Sequence, residues 1–310
     1  MKKVLGTLAV AGLLTGAVSA AEVAVVSPID VHGGFSAGYT DENNQGFFVS
    51  NFLVELSKAP TEGLGFTAAF GYLANQPATV SFIGKDSGGG DLETKASFGF
   101  EYGYLTVVPM EGLALDAGVL PTMVGYEVAN TYANPNINIA AIWGAQPVYY
   151  PGARATYAVN DKTAVFAEVN QDGRGAWSVG TTATVGTVDV VASYYAYNHD
   201  RDILDIILSS SFQGLDIALN IDGHIASQAD EKGGIGAAFY VTPKFGNILL
   251  PVRLEYMNGD IFADTKGWDI AITPTYAFGE NGYGRLEVFY KDYDHHDGSM
   301  SYALEFGYTF

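Results

Sequence analysis

Charged side chains recur at every second position in several apolar segments of this sequence. One leucine separates Arg253 from Glu255, and another separates Arg285 from Glu287. Residues two apart in a β-strand point to the same side of a sheet, so each pair shares a face opposite its leucine. Charges fixed along one face attract or repel dissolved ions. The spacing therefore favours the selection of ions over bond-making chemistry.

The C-terminal segment shows this alternation most clearly. From Met300 to Phe310 every second residue is large and apolar, and the residues between them are small or polar. A period of two predicts a β-strand with one apolar face and one polar face. A strand of this kind that ends on a terminal Phe resembles the last strand of outer-membrane β-barrel proteins.

Similar segments, separated by turn residues, continue back to Ile29. Every second junction is short, as in barrels with short periplasmic turns and longer outside loops. We therefore predict an all-β fold, a transmembrane antiparallel β-barrel of about sixteen strands with both chain ends on the periplasmic side. Merging or splitting weak segments would give fourteen or eighteen. The predicted strands are 29–40, 46–58, 64–74, 93–108, 113–120, 151–160, 163–171, 176–185, 187–197, 203–212, 215–225, 233–241, 249–258, 267–277, 282–293 and 299–310.

The N-terminus has the pattern of a secretory signal. A basic start at Lys2 and Lys3 precedes an apolar stretch from Val4 to Leu14, and residues 18–20 read Val-Ser-Ala, a small-residue cleavage pattern. We predict that residues 1–20 are a cleaved signal peptide and that residues 21–310 form a single barrel domain. A buried N-terminal helix is the alternative. The chain contains no Cys, so it has no disulfide.

Composition excludes two further classes of protein. The formal net charge is −19 at pH 7, and about −21 without the two signal lysines. Binding of nucleic acid needs a basic surface, so we expect none. Apart from the signal, the sequence has no apolar run long enough for a transmembrane helix. A closed barrel is then the way for this chain to cross a bilayer, because its backbone groups are paired internally.

A barrel of sixteen strands is too wide for side chains to fill, so we expect an aqueous channel. The predicted inward face has more acids than bases, which favours cations. The alternative for any single acid is a place near the rim or a partner nearby. The predicted inward residues are Asp30, Glu55, Glu93, Lys95, Glu101, Asp116, Arg154, Glu168, Asp189, Asp205, Asp216, Asp222, Arg253, Glu255, Asp269, Arg285, Glu287, Lys291 and Glu305.

The longest predicted connection, about 120–150, is the third outside loop. It contains apolar residues such as Ile142 and Trp143, one acid, Glu127, and no basic residue. It is similar to the third loop of sixteen-stranded porins, which folds into the barrel and narrows it. Packing against a neighbouring subunit or the rim is the alternative. If the loop enters the lumen, we expect the narrow zone to be lined by Glu127, Arg154, Arg253, Glu255, Arg285 and Glu287.

One segment carries a family resemblance. Residues 118–127 read Gly-Val-Leu-Pro-Thr-Met-Val-Gly-Tyr-Glu, and a loop separates them from Pro151 and Gly152. This pattern resembles the putative β-barrel porin type 2 family, chiefly over residues 113–200. The resemblance implies a channel whose substrate is poorly defined.

Candidates for catalysis and metal binding are weak. Residues 294–297 read Asp-His-His-Asp, which resembles part of the omptin protease site, but those enzymes need a second carboxylate pair and a narrower barrel. A solvated loop is the better interpretation. Outer-membrane phospholipase needs its His on the lipid face, whereas His32 and His224 fall in the inward register. Asp172, Asp292 and the acids of 294–297 lack the spacing of a dedicated calcium loop. We predict no enzyme, no cofactor and no specific metal site.

Three function classes follow from the sequence. A diffusion channel for small hydrophilic solutes and ions is favoured, a structural or adhesin-type barrel is second, and a barrel enzyme is third. The expected location is the outer membrane of a Gram-negative bacterium. The expected partners are its lipid bilayer, the permeating solutes, the barrel-assembly machinery and, in a homotrimer, two further copies of the chain.

Overall fold

The described part of the chain contains sixteen β-strands. The structure, a computed structural model, describes residues 29–41, 46–60, 63–73, 99–172, 175–197, 201–226, 233–259, 266–294 and 298–310. The strands are β1 Asp30–Thr40, β2 Gly46–Lys58, β3 Leu64–Leu73, β4 Gly99–Met110, β5 Leu113–Pro121, β6 Tyr149–Asn160, β7 Thr163–Asn170, β8 Ala176–Val185, β9 Val188–Tyr197, β10 Arg201–Phe212, β11 Leu215–Ala226, β12 Gly234–Phe245, β13 Ile248–Leu249 with Val252–Gly259, β14 Lys266–Ile272 with Thr275–Phe278, β15 Gly282–Tyr293 and β16 Ser299–Thr309.

The strands form one closed antiparallel sheet. Each pairs with its neighbours in sequence, and β1 also pairs with β16, from Gly34 opposite Thr309 to Thr40 opposite Ala303. Beyond this ladder, Gly33 and Phe310 exchange two backbone hydrogen bonds of 3.0 Å each. The predicted number of strands and the barrel are confirmed. Residues 93–98, which were predicted to begin the fourth strand, lie outside the described residues.

Prolines interrupt two strands that the sequence predicts as continuous. Pro251 lies between the two parts of β13, and Pro274 lies between the two parts of β14. Proline has no N–H to donate to a sheet. Their carbonyls still accept backbone hydrogen bonds, from Thr273 N at 2.9 Å to Pro251 and from Leu286 N at 3.1 Å to Pro274. The barrel wall therefore continues across both breaks.

The two faces of the sheet differ as the alternation predicts. Leu254 and Leu286, which face outward, are about half exposed, whereas their neighbours Arg253 and Glu287 are buried. An apolar outer face can contact lipid acyl chains, where an Arg or Lys would cost about 2–4 kcal/mol at the midplane. Among the described residues, no helix is long and apolar enough to cross a membrane.

The interior of the barrel is occupied by the connection between β5 and β6. We call residues 122–148 the inner loop. It contains two short 3₁₀ helices, Thr131–Ala133 and Ala141–Ala145, and its apolar side chains take part in all three buried apolar clusters of the described residues.

Candidate functional site

The inner loop is packed against inward side chains on several sides of the lumen. Trp143 and Val148 lie in one cluster with Leu53 of β2 and Ala69 of β3. The other two clusters join Ile142 to Ala218, Ala238 and Tyr240 of β11 and β12, and Val124 to Ala176, Tyr195 and Ile203 of β8 to β10. The loop therefore crosses the barrel, as the resemblance to other porins predicts.

Two charged residues of β13 hold the loop backbone from one side. Arg253 donates from Nη1 to the carbonyl oxygen of Asn138 at 2.5 Å. The Glu255 carboxylate accepts the backbone N–H groups of Ala141 at 2.8 Å and Ile142 at 2.5 Å. These N–H groups begin the second 3₁₀ helix, where donors have no partner within the helix. Both wall side chains are almost completely buried.

Two charged residues of β15 make the same kind of contact. Arg285 donates to the carbonyl oxygens of Thr131 at 2.9 Å and Asn134 at 3.0 Å. The Glu287 carboxylate accepts the N–H groups of Ile137 at 2.6 Å and Asn138 at 2.9 Å. In each strand, therefore, the arginine binds loop carbonyls and the glutamate binds loop amides.

Glu127 is the acid that the loop itself contributes. It accepts the N–H of Ala140 at 2.6 Å, and its other oxygen lies 3.2 Å from Arg253 Nη1. Burial raises the pKa of the Glu127 carboxyl above its usual value, while the neighbouring Arg253 acts in the opposite direction. Glu127 thus links an early and a later part of the loop and connects them to β13.

Arg154 lies on the opposite part of the wall, where the loop begins. Its guanidinium is 2.7 Å from Glu168 of β7 and also donates to the carbonyl oxygen of Pro121. The six residues predicted for the narrow zone are all buried. Glu127 belongs to the inner loop, four of the others contact the loop backbone, and Arg154 contacts Pro121, the residue just before the loop. The structure brings Glu127, Arg253 and Glu255 together around one part of the loop, and it places Arg154 apart from them.

Further anchors involve residues that sequence reasoning did not single out for the narrow zone. On one side, the Thr131 hydroxyl contacts Asn51 at 2.5 Å and Glu305 at 2.9 Å. On another side, Gln146 donates to Asn220 at 3.1 Å and Asp222 at 2.8 Å. Neutral Asn and Thr residues carry no charge signal in the sequence, so their contacts with a distant loop could not be recognised.

The other candidate groups show no assembled site in the described part of the chain. Residues 295–297 lie outside the described residues, so the proposed solvated loop is not described. His224 is buried beside Asp222, with Nε2 3.9 Å from a carboxylate oxygen. Within the described ranges, no group of three or more His, Asp or Glu residues could hold a metal ion.

Solved porin structures have the same architecture. A loop-deletion mutant of OmpT, an outer-membrane protein of Vibrio cholerae, matches with a TM-score of 0.64 at 12% identity, over 92% of this chain and 100% of that chain. The trimer form of Vibrio cholerae OmpT matches with a TM-score of 0.63 at 11% identity, over 92% and 99%. A triple mutant of the Rhodopseudomonas blastica porin gives 0.58 at 14% identity, over 91% and 100%. These similarities concern the fold.

A search among curated protein sequences gave no match. A family model, in contrast, matches residues 22–304, which is nearly the whole chain. The match includes the barrel up to the middle of β16, the inner loop and the segment 118–127 on which the sequence resemblance rested. The chain belongs to the family described as Putative beta-barrel porin-2, OmpL-like, and is a porin-type β-barrel of the bacterial outer membrane.

Proposed function

We propose that the chain forms a water-filled diffusion channel for small hydrophilic solutes and ions. The observation that carries this proposal is a closed sixteen-stranded barrel, apolar outside and charged inside, with a loop docked across its lumen. A barrel of this size encloses more space than its own wall side chains fill. The inner loop then reduces the free cross-section, which restricts passage to small solutes.

The narrow zone of this channel is proposed to lie where Glu127, Arg154, Arg253, Glu255, Arg285 and Glu287 hold the inner loop. Each of the three arginines is paired with an acid: Arg154 with Glu168, Arg253 with Glu127 and Asp269, and Arg285 with Glu305. Because their positive charges are offset locally, they repel dissolved cations only weakly.

The channel is further proposed to prefer cations. Acids outnumber bases on the inward face of the described strands, and an excess of fixed negative charge raises the local concentration of cations. Small cations should therefore pass more readily than anions of the same size.

Insertion of the purified protein into planar bilayers tests both statements. We expect stepwise conductance, and under a salt gradient a zero-current potential of the sign that indicates cation selectivity. Folded protein that inserts without conducting would favour the structural or adhesin-type alternative. Conductance with anion preference would refute the proposed selectivity but not the channel.

The remaining expectations concern processing and assembly. Cleavage after Ala20 is proposed from the signal pattern, and mass spectrometry of the outer-membrane protein would measure the mature N-terminus. A homotrimer is proposed because OmpT of Vibrio cholerae, which shares the fold, has a trimer form. Chemical cross-linking of intact outer membranes should then give a product of three chains.

A further inference from the structure

The tripeptide Arg-Leu-Glu occurs twice on the barrel wall, at 253–255 in β13 and at 285–287 in β15. At each site the leucine faces outward, and both charged side chains face the inner loop. We propose that the two tripeptides are a pair of clamps that hold the inner loop by its backbone. In this role their charges position the loop and do not act directly on the permeating ion.

The pattern of contacts carries this inference. Both arginines donate to loop carbonyls, and both glutamates accept two successive loop N–H groups at 2.5–2.9 Å. The clamps share one loop residue, because Asn138 donates its N–H to Glu287 while its carbonyl accepts from Arg253. The segment 137–142 is therefore fixed from two strands at once.

Burial separates this role from that of a selectivity filter. A side chain that selects ions must be reached by them, whereas Arg253 is 0% exposed, and Glu255 and Glu287 are each 1% exposed. Hydrogen bonds from ionised groups to backbone are stronger than those between neutral groups. Loss of a clamp should therefore release the loop.

Charge-keeping and charge-removing variants distinguish the two roles. Arg285→Lys keeps the positive charge, but a lysine cannot reproduce the guanidinium fork between two carbonyls and Glu305. The double variant Glu255→Gln with Glu287→Gln removes two negative charges and replaces one acceptor oxygen of each carboxylate with a donor NH₂. Asp189→Asn is the matched control. The Asp189 carboxylate accepts a hydrogen bond of 2.7 Å from the Thr184 hydroxyl, beside a short turn and away from the inner loop.

The first measurement is single-channel conductance, and this readout rests on the proposed channel function. We expect both clamp variants to give larger and more variable steps, on the order of twofold, because a wide barrel is left less obstructed. Asp189→Asn should keep the native step size. Native step size in both clamp variants would overturn the proposal, even if cation preference fell in the Gln variant.

A second measurement does not depend on conduction. The chain has three tryptophans, of which Trp143 is buried in the loop, and Trp177 and Trp268 face outward. In a Trp177→Phe/Trp268→Phe background, acrylamide should quench Trp143 weakly in the parent and strongly in the clamp variants. If the protein proves not to conduct, this result still decides whether the clamps hold the loop. Equal quenching of Trp143 in the parent and the clamp variants would refute the proposal that the clamps hold the inner loop.

A disulfide introduced between the inner loop and the wall, which can be formed and reduced, controls for general damage to the barrel by the clamp substitutions. The Ser36 and Thr131 hydroxyl oxygens are 3.5 Å apart, which joins the loop to β1, and the native chain has no Cys that could compete. Ser36→Cys/Thr131→Cys added to a clamp variant should restore small, steady steps when oxidised and lose them when reduced. Identical steps in both redox states, with the disulfide formed, would contradict release of the loop.

Discussion

Arg154 shows how a buried charge is accommodated in this wall. It is 5% exposed, forms an ion pair with Glu168, and binds the carbonyl of Pro121, the last residue before the inner loop. Glu168 in turn accepts a hydrogen bond of 2.8 Å from Asn170. Removing one partner of a buried ion pair leaves the other charge uncompensated, whereas replacing both partners with apolar residues does not.

We therefore expect Arg154→Met to lower the free energy of unfolding by about 3–5 kcal/mol. Arg154→Met combined with Glu168→Leu should cost clearly less than the single change, because no carboxylate is then left unpaired. Urea unfolding of the barrel in detergent micelles would measure both. A double variant as unstable as Arg154→Met alone would show that lost packing, and not the orphaned Glu168, dominates.

At the scale of strands, the period of two predicted most of the wall. The structure gives β2 as Gly46–Lys58 and β15 as Gly282–Tyr293, both as predicted. It also places the Arg-Leu-Glu charges of β13 and β15 inside, as predicted. This works because a lipid-facing strand must alternate over its whole length. The two proline breaks were missed, because their apolar flanks continue the alternation on either side.

The contacts of the inner loop could not be predicted in the same way. The loop is held largely through backbone N–H and carbonyl groups, which every residue has and which leave no signal in the sequence. Its entry into the lumen was predicted only from resemblance and from its apolar residues. The repeated Arg-Leu-Glu is a signal that was present, but its spacing on a strand indicates only a shared face.

At the end of the last strand, the contribution of Phe310 to the stability of the barrel can be separated from its contribution to delivery of the protein to the outer membrane. Phe310 is 49% exposed and exchanges two backbone hydrogen bonds with Gly33. Full burial of such a side chain is worth about 1.5–3 kcal/mol, so removing a half-exposed one should leave the barrel able to fold. The resemblance to outer-membrane proteins predicts that the assembly machinery recognises this residue.

Deletion of Phe310 should therefore reduce the amount of protein in the outer membrane while purified protein still refolds in detergent. Quantification in outer-membrane fractions and the gel mobility of unheated, refolded protein would measure the two effects. Phe310→Tyr, which keeps an aromatic ring, is the matched control and should assemble normally. Normal membrane levels after the deletion would refute recognition of the terminal residue.

The charge of the whole molecule acts over longer distances than any clamp. The formal net charge is −19 at pH 7, and the inward arginines are each paired with carboxylates. We therefore expect the field in the lumen to be set by the surplus of acids along the whole wall. Such a field is screened over about 10 Å at 0.1 M salt and over about 3 Å at 1 M.

If this distributed field determines selectivity, the preference for cations should decrease smoothly as salt rises from about 0.1 to about 1 M, because the screening length shortens over that range from about 10 Å to about 3 Å. Zero-current potentials at a fixed salt ratio and increasing mean concentration would measure the decrease. Asp189→Asn should lower the preference slightly at every concentration without changing the shape of the curve. A preference that is independent of salt would instead indicate a single desolvated site in the narrow zone, because charges in close contact with an ion are little affected by screening.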